Sequence, residues 1–198
     1  MSTTEILEPG NYYHIYNRGI NGCNLFIDNN NFEYFIKLFE KYLLPVTDIY
    51  AWVLMKNHFH FLVRIHEGKE FRVQDGSKSN KPPHQHFSNL FNAYTKAFNK
   101  RHERTGSLFE KNFHRKQIKD IRYLQNVVMY IHQNPVHHSF CEYASDYPWS
   151  SYNTIVSMNN TKLKRDIVVG WFDDIGNFID SHDLRRETIE IEKYLDLI

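Results

Sequence analysis

Apolar and polar residues alternate most cleanly in NHFHFLVRI (57–65). A strand sends alternate side chains to opposite faces, so Phe59, Phe61, Val63 and Ile65 share one face and His58, His60, Leu62 and Arg64 the other. The preceding DIYAWVLM (48–55) is rich in β-branched and aromatic residues. Lys56 and Asn57 are left as a tight turn, and 48–65 reads as a β-hairpin. NYYHIYNRG (11–19) alternates as a first strand that stops at Gly19. Between them, Phe32, Phe35, Ile36, Phe39 and Leu43 recur at helical spacing and predict a helix over 29–44, ending before Pro45. Residues 67–86 form a polar loop containing Gly and Pro. Leu90, Phe91, Tyr94, Ala97 and Phe98 predict an amphipathic helix over 87–104, ended near Gly106. SLFEKNFHRKQI (107–118) reads as a fourth strand. Asp120 can cap a helix running to about Asn134, where Pro135 stops it.

The order β-α-β-β-α-β-α predicts an α+β fold, a ferredoxin-like split βαβ antiparallel sheet with an added C-terminal helix. Residues 1–152 make one domain with a polar insertion at 67–86. Beyond Tyr152 the periodicity weakens into a helical extension (153–198) with a last helix near 185–197. At 198 residues the chain can bury a sizeable core, and 41% hydrophobic and 16% aromatic residues mark it as globular. A formal charge of +1 means that any basic surface is local. Two cysteines, Cys23 and Cys141, exclude a disulfide framework. With no leader pattern and no long apolar run, the expected location is cytoplasmic.

Candidate chemistry centres on the His58–His60 pair, two imidazoles spaced to grip one cation from a strand face. Paired solvent-facing histidines are the plainer alternative. His84-Gln85-His86 has the same spacing in a polar loop and reads as surface, as do His137 and His138. In the helix from Asp120 the apolar stripe is Ile121, Leu124, Val127, Val128 and Ile131. Tyr130 falls well off that stripe at ~100° per residue. Asn134, one turn on, is an oxygen donor beside it, with Gln133 at poorer alignment. A structural tyrosine remains the competing reading of Tyr130, and Tyr123 lies on the same flank.

MKNHFHFLV, YIHQNPV and YPWSSY (147–152), in that order, resemble the REP-associated tyrosine transposases, part of the HUH single-tyrosine transposase superfamily. YYHIYNRG, GSLFEKNF and FNKRHERTG add to the similarity, which spans residues 11–152. The resemblance implies a single-stranded DNA endonuclease and strand transferase acting on single-stranded or hairpin DNA. It implies His58, His60 and Asn134 as ligands of Mg2+ or Mn2+, and Tyr130 as the nucleophile that forms a 5′-phosphotyrosine on a catalytic helix. A homodimer is compatible with it. A domesticated hairpin-binding protein without transposition is the alternative. Arg18, Lys56, Lys111, Arg115 and Lys116 are candidate DNA contacts, and Tyr16, Phe109 and Phe113 candidate stacking partners for bases. After NPV, the family usually continues with Arg and small residues, whereas this chain has His137, His138 and Ser139.

Overall fold

The computed structural model describes residues 5–68, 71–72, 76, 78–120, 122–183, 191 and 195. Its centre is a four-stranded antiparallel sheet of β1 (Tyr12–Arg18), β2 (Thr47–Met55), β3 (His58–Ile65) and β6 (His114–Ile118), ordered β2-β3-β1-β6. Two short strands, β4 (Phe71–Arg72) and β5 (Lys78–Ser79), pair with each other inside the 67–86 insertion. The β2–β3 turn holds only Lys56 and Asn57, as the sequence predicts.

One face of the sheet carries Tyr13, Ile15, Phe59, Phe61, Val63 and Ile65. It packs on α1 (Asn29–Leu43) and α2 (Pro83–Arg101) through Phe35, Phe39, Leu90, Phe91 and Tyr94. Asp28 starts α1 with a capping box, its carboxylate accepting from Asn31 N while the Asn31 side chain accepts from the Asp28 backbone. The opposite face is covered by α3 (Arg122–His137), whose Leu124, Val127, Val128 and Ile131 meet Ala51, Val53, Met55 and Leu62. Asp120 caps this helix as expected, accepting from Arg122 N at 3.0 Å.

Three boundaries depart from the sequence reading, and each departure has a local cause. Helix α2 begins at Pro83 rather than residue 87, because proline at the first helical position has its φ already set and needs no partner for the missing N–H. His84-Gln85-His86 is therefore helical, and His86 is buried, 3.3 Å from Ser79 Oγ. Helix α3 runs through Pro135 to His137, since so near the C-terminus only the bond to one carbonyl is lost. The fourth strand keeps only 114–118. Asn112 takes a left-handed φ of 64° that breaks the extended run, and Phe109 and Phe113 turn into the α1–α2 core against Phe91. Those two rings are core residues, which removes them as stacking partners for bases.

YPWSSY lies along the free edge of β2. Leu54 N donates to Trp149 O, Ser151 N to Trp52 O, and the Tyr147 hydroxyl to Leu54 O. This covers an edge that would otherwise offer unpaired backbone groups. Helices α4 (Tyr152–Val156), α5 (Arg165–Trp171) and α6 (Ile175–Asp183) then pack Ile155, Val168, Phe172 and Phe178 into the α3 core. Of the expected helix near 185–197, only Ile191 and Leu195 are described, both buried in that core; the rest lies outside the described residues. Among the described residues no helix is long and apolar enough to cross a membrane.

Candidate active site

Strand β3 presents His58 and His60 to α3, with ring centroids 5.2 Å apart and nearly perpendicular. Helix α3 brings Tyr130 and Asn134 to the same place, one turn apart on one flank. The Tyr130 ring stands edge-on to His60 at 5.5 Å, and Asn134 Oδ1 lies 2.9 Å from His58 Nε2. Residues 127–135 are all buried, because α3 is enclosed by the sheet below and the tail above. Tyr130 is off the apolar stripe but 7% exposed, part of the α3 core and edge-on to the imidazoles of His14 and His60. Tyr123 is half-buried two turns earlier. Gln133 points the other way, its amide donating to the His182 carbonyl.

The two histidines are held neutral. Burial lowers the His58 pKa to about 4, with Asn134 opposing the shift. Burial, helped by the neighbouring imidazoles of His14, His58 and His138, depresses His60 well below its ordinary value. A neutral imidazole has one N–H, yet His58 faces two carbonyl oxygens, with Nδ1 2.8 Å from Asn57 Oδ1 and Nε2 2.9 Å from Asn134 Oδ1. With the hydrogen on Nδ1, the Nε2 lone pair confronts the Asn134 oxygen. Two donors about 2.9 Å apart match neighbouring ligands of an octahedral Mg2+ at about 2.0–2.1 Å, so the residues present fit a divalent cation. Among the described residues no group of three His, Cys, Asp or Glu could hold a metal ion. The candidate set of two imidazoles and a carboxamide is uncharged.

Two further imidazoles flank this set without having been singled out by periodicity. On β1, His14 pairs with Leu62, and its Nε2 reaches His60 Nδ1 at 2.9 Å. His138, just past α3, is exposed as expected for a surface residue, but its ring lies 5.1 Å from that of His58. On the same sheet face Tyr16 is stacked between His60 at 5.6 Å and His114 at 4.6 Å. Behind α3, His132 Nε2 meets Ser151 Oγ at 2.7 Å and His132 Nδ1 meets His182 Nε2 at 2.9 Å. That buried chain ties the tyrosine helix to YPWSSY on one side and α6 on the other.

The basic candidates do not share one surface. Arg18 is opposite His58 in the β1–β3 register and ion-paired with Glu110 at 3.2 Å, its side chain 55% exposed. Lys56 is exposed in the β2–β3 turn, next to Asn57. Lys116, opposite His14 on β6, is on the histidine face. Lys111 is exposed in the bend before β6. Arg115, opposite Ile15, is on the other face, its guanidinium 4.5 Å over the Phe113 ring.

No protein-family model and no curated protein matches the chain. Among solved structures it is similar to a REP-associated tyrosine transposase bound to a REP hairpin, with a TM-score of 0.59 over 80% of this chain and 86% of that one, at 19% sequence identity. The chain therefore has the fold of a REP-associated tyrosine transposase, with its histidine-bearing strand face turned to the helix that carries Tyr130.

Proposed function

We propose that this protein is a REP-associated tyrosine transposase that cuts and rejoins single-stranded DNA, acting at hairpin ends, through a 5′-phosphotyrosine intermediate. The observation that carries the reading is the convergence, within one chain, of Tyr130, His58, His60 and Asn134 on a single sheet face. The solved hairpin-bound relative of the same fold supports DNA as the substrate.

Mg2+ or Mn2+ held by His58, His60 and Asn134 would polarise the scissile phosphate and stabilise the charge that develops on it. Tyr130 supplies the nucleophile. Its hydroxyl gives up its proton as the oxygen bonds to phosphorus in line, the bond from phosphorus to the 3′-oxygen breaks, and that oxygen takes up a proton to leave as a free 3′-hydroxyl. The phosphotyrosyl ester conserves the phosphodiester bond energy, so a second 3′-hydroxyl can reverse the attack and join strands without ATP. The buried position of Tyr130 keeps water from competing for that ester. Neutral His58 and His60 keep their lone pairs available at and above pH 5, so protons do not compete with the cation there.

The test is cleavage of a labelled single strand next to a hairpin, read on a denaturing gel. Wild type with Mn2+ should give a free 3′ end and a protein–DNA adduct. Excess chelator, His58→Ala or His60→Ala should each remove both while DNA binding remains. Undiminished cleavage in chelator rejects the metal role, and DNA binding without any cleavage in Mg2+ or Mn2+ favours the domesticated binder.

The placement of the cations gives a second expectation. Lys116→Ala should flatten the salt dependence of DNA binding by about one unit of slope. Arg115→Ala, on the opposite face, should leave the slope unchanged and lower thermal stability through the lost contact with Phe113. Equal slopes in wild type and the Lys116 variant would remove that residue from the DNA-binding face.

A further inference from the structure

We infer that His14 is a positioning residue that fixes which ring nitrogen of His60 carries the proton. The inference rests on the metal-dependent reading above and deepens it. His14 Nε2 and His60 Nδ1 are 2.9 Å apart with the ring planes 6° from parallel, and both side chains are buried. One hydrogen lies between them, and with both rings neutral it has two possible owners. If His14 donates, His60 must carry its own proton on Nε2 and has no lone pair left for a cation. If His60 donates from Nδ1, its Nε2 is a free lone pair and His14 holds its proton on Nδ1. Only the second arrangement makes His60 a ligand.

The structure contains the corresponding cost. Among the described residues His14 Nδ1 is buried with no hydrogen-bond partner, although a buried polar group is ordinarily satisfied. In the second arrangement that atom is an N–H without an acceptor, a cost borne by His14 that leaves the His60 Nε2 lone pair free. Tyr16 lies over both rings, 5.3 Å from His14 and 5.6 Å from His60, and holds them against rotation. A ligating histidine usually donates its second N–H to a carboxylate or carbonyl that orients the ring. Here a second imidazole occupies that position, and as a neutral acceptor it adds no charge to the site.

The experiment reads the tautomer first, in metal-free protein with 15N-labelled histidine, where protonated and bare ring nitrogens have separate shifts. Wild-type His60 should show a protonated Nδ1 and a bare Nε2. His14→Phe keeps a flat ring but removes the acceptor. It should mix the two forms and weaken Mn2+ binding, measured by electron paramagnetic resonance with Mn2+ alone, by about 10–100-fold. His14→Gln, whose carbonyl can accept from Nδ1, should recover much of that loss, which a purely steric role would not predict. Thermal melts show whether each variant is folded. A wild-type His60 protonated on Nε2, or a folded His14→Phe that binds Mn2+ like wild type, overturns the inference. A wild type that binds no Mn2+ despite the expected tautomer overturns the metal reading itself, and the role of His14 with it.

Discussion

Tyr130→Phe is expected to abolish strand cleavage and the denaturant-resistant protein–DNA adduct, while DNA binding and folding persist. The substitution removes one oxygen and keeps the ring that stands edge-on to His60 at 5.5 Å and to His14 at 6.1 Å. The packing of residues 127–135 is therefore preserved, and the stability change should stay within about 1 kcal/mol, the net worth of one hydrogen bond. Tyr123 lies two turns up the helix, and Tyr16 is stacked between His60 and His114. Tyr123→Phe should cut at the wild-type rate. The measurement is a single-turnover assay with a strand labelled 3′ of the cut, so that the label moves with the protein. Normal cutting by Tyr130→Phe, or an adduct that maps to another residue, removes the proposed chemistry at its centre.

The parts of this site that follow from local periodicity were legible in the sequence. Period two in NHFHFLVRI separates the phenylalanine face from the histidine face, and the structure keeps that division, with Phe59 and Phe61 among the α1–α2 core and Leu62 under α3. The 3.6-residue period puts Tyr130 and Asn134 on one flank of α3. What depends on register between distant strands was not legible. His14 lies 46 residues before His60, and nothing in YYHIYNRG says that β1 pairs with β3 so that His14 stands opposite Leu62 and beside His60. Arg115 and Lys116 look equivalent in a basic run, but alternation across an edge strand sends one to each face, and the faces have different partners. Pro135 was over-read as a stop, since it lies in the last turn of α3, and Pro83, placed in the polar loop, instead starts α2. The loop reading of 84–86 failed with it, because a polar sequence at a helix start still buries whichever residue faces the core, here His86.

Stability is expected to fall from about pH 6.5 downward, well before carboxylates protonate. His58 and His182 each have a pKa lowered to about 4, and that of His14 is lowered to about 3, in every case by burial, while burial and neighbouring imidazoles hold His60 and His132 well below their ordinary value. In the unfolded chain all five titrate near 6.5. Above that pH neither state binds these protons, and the native state keeps its full stability. Between about 6.5 and 4 the unfolded chain takes up protons that the native state refuses, so the unfolding free energy drops as pH falls and levels off below the native values. At pH 5, His58 and His182 alone should each cost about 2 kcal/mol, a large share of the ~5–15 kcal/mol typical of a domain. The loss should appear first where α6 meets α3, because His182 and His132 share one hydrogen bond there and a proton on both rings breaks it. Urea unfolding with chelator present, at pH 7.5 and 5.0, measures the drop. Hydrogen exchange at pH 5.5 should find α6 opening before the sheet. An unfolding free energy that is flat across this range would mean that the five imidazoles accept protons without leaving their buried positions.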